Sequence, residues 1–212
     1  MNKHKPLVLI GGGGHASVLA DILLGQGRDI VAVISPDDLS SRAVFTGLVH
    51  LTQDEEVKRF SPESVYLVNG IGMLPRSTLR QRVNQQFLEL GYQFETVIAS
   101  DAHVSRFATI HSGAQILSGA RVQTGAVVGE HTIVNSGALV EHDCQIGAYN
   151  HIAPNATLCG DVLTEGNVYI GANATVIQGL ALEAQSTVGA GAILTQSLPL
   201  GDTCYPARAC IK

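Results

Sequence analysis

Every sixth residue from Ile98 to Leu194 is aliphatic, with one exception at Thr164. The series passes through Val104, Ile110, Ile116, Val122, Val128, Val134, Val140, Ile146, Ile152, Leu158, Ile170, Val176, Leu182 and Val188. Helix side chains recur every 3.6 residues and strand side chains every 2, so neither element sustains a period of six. A hexad repeat over about half the chain predicts a parallel β-helix, with each hexad forming one flat side of a triangular coil.

A second signal lies four residues after each aliphatic position. It is mostly small: Ala108, Ala114, Ala120, Ala126, Ala138, Cys144, Ala156, Ala174 and Ala192 are examples. One large and one small inward residue per side suits a narrow prism. The residue just before the small one is usually Gly, Asn or Asp, types that tolerate the backbone of a tight corner. Three hexads per coil predict about five to six coils. Val162, Val168 and Leu180 break the small-residue rule around Thr164, which predicts a distorted coil or a short loop there.

Residues 1–95 follow a different grammar. Short apolar runs at residues 7–10, 30–34 and 65–68 read as strands, and residues 93–98 as a last strand leading into the repeat. Residues 15–24 read as a helix, and a second helix is expected from Pro75 to about Leu90, capped by Gly91. Alternating strands and helices predict a small parallel sheet with helices on its faces. The expected fold is therefore α/β: a Rossmann-like half domain over residues 1–95, then a parallel β-helix with a C-terminal tail over 96–212.

The run Gly11-Gly12-Gly13-Gly14-His15-Ala16 follows a strand and opens a helix, matching Gly-x-Gly-x-x-Ala of dinucleotide sites. Glycine lets a phosphate approach the backbone, and the helix N-terminus favours its charge. Fewer than 100 residues cannot hold both halves of a dinucleotide domain, so a single nucleotide is expected. The loop Asn69-Gly70-Ile71-Gly72 should face the same crevice. Arg76 and Arg80 are candidates for pairing with a diphosphate, Arg80 being the better candidate for a solvated surface charge.

The 212 residues carry a net charge of −5, which argues against a nucleic-acid partner. No apolar run approaches the roughly 20 residues that span a bilayer. The start Met1-Asn2-Lys3-His4-Lys5 does not read as a signal peptide. Cys144, Cys159, Cys204 and Cys210 form no CxxC pair or zinc spacing. Free thiols, no metal and a cytoplasmic location are the expectation.

His142 and His151 fall at outward phases of the hexad. Glu141 and Asp143 flank His142, and either carboxylate would raise its basicity and fix its tautomer. Cys144 has the inward phase of Ala138 and Ala126, so it reads as a small core residue.

The hexad repeat, the Gly-Gly-Gly-Gly-His-Ala start and the stretch Glu141-His142-Asp143-Cys144-x-Ile146-Gly147-x-x-x-His151 together resemble a known family. They are similar to left-handed β-helix acyltransferases of the sialic-acid O-acetyltransferase-like and bacillosamine-pathway UDP-4-amino-sugar N-acetyltransferase subgroup. The resemblance covers essentially the whole chain. It implies transfer from acetyl-CoA, without a metal, to the 4-amino group of a nucleotide-linked sugar. A UDP-4-amino-4,6-dideoxy-N-acetylhexosamine is the favoured acceptor, in a bacterial surface-glycan pathway.

Acetyl transfer to an amine requires a base, and a histidine titrating near the working pH is the usual choice. The resemblance makes His142 that base, with Asp143 tuning it. Asn135, one hexad before Glu141, is a candidate for holding either the amino sugar or His142. The resemblance further implies that His151 touches acetyl-CoA and that Gly160, Ala172 and Ala190 receive its pantetheine arm. Gly13, Gly14 and His15 would contact the nucleotide-sugar. The family's acidic residue after the second strand is displaced here to Ser35-Pro36-Asp37-Asp38, which makes Asp37 the substitute; Gly72 and Arg76 complete the expected substrate set. A homotrimer is implied as well, and outward apolar residues such as Leu117, Val127 and Ile177 want cover. The alternatives are a sugar O-acetyltransferase of the sialic-acid type, a GDP- or dTDP-4-amino-sugar N-acetyltransferase, and a non-catalytic scaffold.

Overall fold

The computed structural model describes residues 4–207. Most of the N-terminal pentapeptide and Cys210 lie outside the described residues. The chain divides into two compact units, Met1–Met73 with Ser77–Ser100, and Leu74–Arg76 with Asp101–Lys212.

The first unit is an α/β layer. Strands β1 (Leu7–Ile10), β2 (Ile30–Ile34), β3 (Val49–Leu51) and β4 (Tyr66–Asn69) form one parallel sheet in the order β3-β2-β1-β4. Strands β1, β2 and β4 are buried along nearly their whole length and are mainly apolar runs, as parallel strands usually are, while the edge strand β3 exposes Val49 and His50. Helix α1 (Gly14–Gly25) turns Ala16, Leu19, Ala20 and Leu23 inward. Val8, Ile10, Ala32, Ile34, Leu67, Phe87 and Phe94 build one core cluster. Three elements differ from the sequence reading, the strand expected over 93–98 being reduced to a bridge at Phe94 and the two-residue strand Val97–Ile98. β3 is a three-residue strand between turns, too short to show a periodic pattern. Helix α2 spans Leu79–Glu89 instead of opening at Pro75, because Arg76 takes a φ of 62°, which no right-handed helix accommodates.

The second unit is a left-handed β-helix of two-residue strands stacked in three parallel sheets. Side one carries Thr109–Ile110, Val127–Val128, Gln145–Ile146, Leu163–Thr164 and Ala181–Leu182. Side two runs from Gln115–Ile116 through Ile133–Val134, His151–Ile152, Tyr169–Ile170 and Thr187–Val188 to Thr203–Cys204. Side three runs from His103–Val104 through Arg121–Val122, Leu139–Val140, Thr157–Leu158 and Thr175–Val176 to Ile193–Leu194. Val127 pairs with Gln145 and Gln145 with Leu163, so one coil is 18 residues, three hexads. The aliphatic and small positions meet inside in a single cluster that includes Val128, Ala138, Val140, Cys144, Ile146 and Leu158.

The corners explain the third position of the repeat. Every sixth residue from Gly113 to Gly191 has a φ between 54° and 74°. Asn and Asp take most of the non-glycine places, as their local hydrogen bonding allows, while His131, Tyr149 and Gln185 take the rest.

The coil at Thr164 is regular, contrary to expectation. Leu163–Thr164 pairs in register with the strands on both sides. The reason is a polar ladder inside the prism. Thr164 Oγ1 accepts from Gly147 N–H at 3.1 Å and from the Asn150 amide. Asn150 Oδ1 accepts from Val168 N–H at 2.7 Å, and Asn150 N–H donates to Thr132 Oγ1 at 2.9 Å. A hydroxyl is required at residue 164 because a buried amide at residue 150 needs an acceptor. Leu117 also departs from expectation: it is fully buried within the single chain, whereas Val127 and Ile177 are half-buried.

Candidate functional site

The first unit holds a cavity of about 500 Å³ at the C-terminal ends of its strands, where open α/β sheets bind ligands. Its walls include Gly13, Gly14 and His15 of the glycine run, Asp37 after β2, and Gly72 after β4. Gly11 makes the turn out of β1 with a φ of 94°. At Gly13 and Gly14 an added Cβ would meet nothing within 4 Å, so these two leave the mouth of α1 open. No side chain caps that helix and no acidic residue stands in its first turn. The N-terminus of α1 therefore opens on the cavity with a dipole that favours an anion there. Ala16, at the third fingerprint position, is fully buried against Gly70, whose own Cβ would fall 2.6 Å from that of Ala16.

Asp37 and Asp38 separate cleanly. Asp38 accepts from Ser40 N–H at 2.9 Å and from Ser40 Oγ at 2.7 Å, and these bonds hold its carboxyl below the usual range. Asp37 is exposed and lines the cavity. A further carboxylate, Asp54, lines it too and was missed in the sequence, as were the apolar wall residues Leu79 and Val83. Only the position of β3 could have signalled Asp54.

Arg80 is not the solvated surface charge expected. Arg80 is buried and donates from Nη1 to the carbonyls of Asn69 and Ile71, at 3.0 and 2.7 Å. Asn69 in turn donates to Asn84 Oδ1 at 2.6 Å and accepts from Ile71 N–H at 2.8 Å. Arg80 thus fixes the loop that walls the cavity. Arg76 does not line the cavity; it donates to Gly201 O at 3.3 Å and to Thr203 Oγ1 at 3.2 Å. Its left-handed backbone places it in the turn before α2.

On the β-helix, His142 is exposed at the corner between sides three and one. Its Nδ1–H donates to Asp143 Oδ2 at 2.8 Å, which leaves the lone pair on Nε2. The bond to Asp143 raises the pKa of the imidazole above its ordinary value; desolvation opposes it, and the charges of Asp143, Glu141 and Asp161 add smaller upward contributions. Of the two flanking carboxylates, then, Asp143 takes the ring, while Glu141 accepts weakly from the His142 backbone N–H. The ring lies directly over Gly160, one coil further on: a Cβ there would sit 2.5 Å from Cε1 and 2.6 Å from Nε2. Gly125, one coil before Asp143, makes equivalent room for its carboxylate, since a Cβ there would sit 2.3 Å from Oδ1.

Asn135 does not reach His142. It belongs to the corner between sides two and three, and its amide donates to His151 Nε2 at 3.0 Å. Ser136 N–H donates to Asn135 Oδ1 at 2.8 Å, which fixes the amide's orientation. His151 is buried, with only 8% of its surface exposed, and packs edge-on against Tyr169. The outward phase therefore exposes His142 but not His151. Ala172 and Ala190 stack one coil apart on the same corner as Asn135, half-buried and exposed respectively. Within one prism the histidine–aspartate pair and the alanine column thus occupy different corners.

Cys144 is fully buried, and desolvation pushes its thiol up to about 11. Cys159 and Cys204 are free thiols as well. Among the described residues no group of three or more His, Cys, Asp or Glu could hold a metal ion, and no helix is long and apolar enough to cross a membrane.

Residues 6–87 match the PglD N-terminal domain family, and residues 125–160 match the bacterial transferase hexapeptide repeat. No curated protein sequence matches the chain. Among solved structures it resembles PerB from Caulobacter crescentus, seen in complex with CoA and GDP-perosamine. The identity is 28%, the alignment covers 93% of this chain and 92% of that one, and the TM-score is 0.83. It resembles equally the acetyltransferase domain of PglB from Neisseria gonorrhoeae, seen with acetyl coenzyme A. There the identity is 29%, with 94% and 95% covered and a TM-score of 0.83. With a glycine-lined cavity in its first unit and a hexapeptide β-helix as its second, and alike over more than nine-tenths of its length to PerB and to the acetyltransferase domain of PglB, the chain resembles the sugar N-acetyltransferases and is an acyltransferase.

Proposed function

We propose that the protein transfers the acetyl group of acetyl-CoA to the 4-amino group of a nucleotide-linked amino-deoxy sugar. The observation that carries this reading is the exposed His142–Asp143 pair, with Nδ1 bonded to the carboxylate, the lone pair left on Nε2, and a raised pKa. PerB and PglB, seen with CoA and acetyl coenzyme A, support the donor. The open helix N-terminus in the cavity supports an acceptor with a diphosphate, and so favours a nucleotide-sugar over a free sugar such as sialic acid.

The neutral amine attacks the thioester carbonyl while Nε2 takes one of its protons. The tetrahedral intermediate then expels the CoA thiolate, which recovers that proton from the imidazolium. Asp143 holds the ring in the tautomer that keeps Nε2 free and stabilises its charged form. Transfer is direct, because Cys144 is protonated in the core. Most of the remaining rate enhancement comes from holding the two substrates together.

The base and the alanine column lie on different corners of one prism, which favours a homotrimer in which neighbouring prisms complete each site. In this reading His151 orients the donor from its buried place through Asn135. The UDP-linked acceptor that the resemblance implies and a GDP-linked one share the same sugar chemistry.

The experiment is thiol release from acetyl-CoA in the presence of UDP-, GDP- and dTDP-linked 4-amino sugars. The wild type should turn over one of them, and His142→Ala should lose about 10²- to 10⁴-fold in kcat. Turnover by His142→Ala within several-fold of the wild type would rule out this mechanism.

A further inference from the structure

The register of the sheet orders the cavity. Ile10 of β1 aligns with Ile34 of β2, and Ile34 aligns with Leu51 of β3. Three residues beyond each stand Gly13, Asp37 and Asp54, and all three line the same cavity. Neighbouring strands are about 4.8 Å apart, so this row spans about 10 Å, the scale of a nucleoside from its 5′ phosphate to its base. The phosphate belongs at Gly13, where the helix N-terminus opens. Asp37, at the end of the adjacent strand, stands where such sheets hold the ribose hydroxyls. Asp54 then faces the nucleobase.

A carboxylate only accepts hydrogen bonds. Uracil and thymine offer it a single N–H flanked by two carbonyl oxygens, which repel it. Cytosine and adenine offer one amino group each. Guanine alone offers two adjacent donors, N1–H and the 2-amino group, spaced for the two oxygens of one carboxylate. Among the described residues no hydrogen bond or ion pair is found at the Asp54 carboxylate. Partial burial, with Glu55 beside it, pushes its carboxyl upward. A pair of ligand donors would relieve that loss of solvent.

We infer that Asp54 is the residue that selects the nucleobase, and that the nucleotide this cavity takes is a guanosine diphosphate carrying the sugar. This rests on the nucleotide-sugar reading given above and narrows it. It replaces the UDP acceptor expected from the sequence.

The test is calorimetric titration of the full chain with GDP, IDP, UDP and dTDP. IDP is GDP without the 2-amino group. GDP should bind about tenfold or more tighter than each of the others. Asp54→Asn should lose the GDP-over-IDP preference while keeping its melting temperature and its affinity for CoA. UDP or dTDP binding as tightly as GDP, with nucleotide binding intact, overturns this assignment but leaves the nucleotide-sugar reading standing. Equal binding of GDP and IDP by the wild type, or an unchanged GDP-to-IDP ratio in Asp54→Asn, places Asp54 on the ribose and also overturns it. No binding of any nucleoside diphosphate defeats both readings.

Discussion

At residue 143 the corner demands a φ of 63°, which Asp tolerates better than most side chains. From that backbone its carboxylate reaches back to the imidazole one residue earlier. One residue therefore serves both the turn and the base. The acidic flanks of His142 were visible in the sequence, but the choice between Glu141 and Asp143 was not, because it depends on the corner geometry. Asp143→Asn should lower the pKa of His142. The free imidazole is the active form, so kcat/KM rises as pH passes upward through that pKa. In the variant the rise should come at lower pH than in the wild type and reach a lower plateau. A pH–rate profile with an unmoved acidic limb would show that Asp143 does not tune the ring. The resemblance makes Gly160 a bed for pantetheine, and the His142 ring lies over the same residue. Gly160→Ala should push the ring aside and cut kcat by about 10²-fold, the cost of a displacement near 1 Å. Steady-state kinetics beside an unchanged circular dichroism spectrum would check this.

At the scale of elements, the hexad period was legible because each two-residue strand is fixed by one inward aliphatic. Its lapse at Thr164 was legible as a fact but not as a cause. Asn150 lies 14 residues earlier in sequence and one coil earlier in space, and no local pattern links the two. Thr164→Val restores the apolar pattern yet should destabilise the protein. It leaves the Asn150 amide short of an acceptor, at about 1–3 kcal/mol. Combining it with Asn150→Ala should recover part of that loss, because both partners are then removed. Thermal melting of the two single variants and the pair would measure the coupling. A stabilised Thr164→Val would mean that the ladder is dispensable. The start of α2 was misread for a similar reason. Pro75 suits a helix start, but Arg76 donates to Gly201 O and Thr203 Oγ1, and the helix begins only at Leu79.

At the scale of the whole molecule, the separation of His142 from Ala172 and Ala190 by one corner makes assembly a requirement of the proposed chemistry. Light scattering should give a mass near three times 22.3 kDa. Mixing two inactive variants, His142→Ala and Ala190→Trp, under conditions of subunit exchange should restore measurable thiol release, since some sites then draw both intact groups from different chains. No recovery would place both groups in a site built by one chain. The sequence by itself determined the β-helix, the phase that puts Cys144 inside and His142 outside, and the glycine run at the mouth of α1. Each follows from a short-range rule: a period, a residue volume, a tolerated φ. Only the tertiary structure decided that Asp143 takes the ring, that Asn135 belongs to His151, that Arg80 braces a loop, and that Asp54 stands in line with Asp37. Those pairings join residues from neighbouring strands, corners and coils. Their distances are set by strand register and coil stacking, which no local stretch of sequence carries.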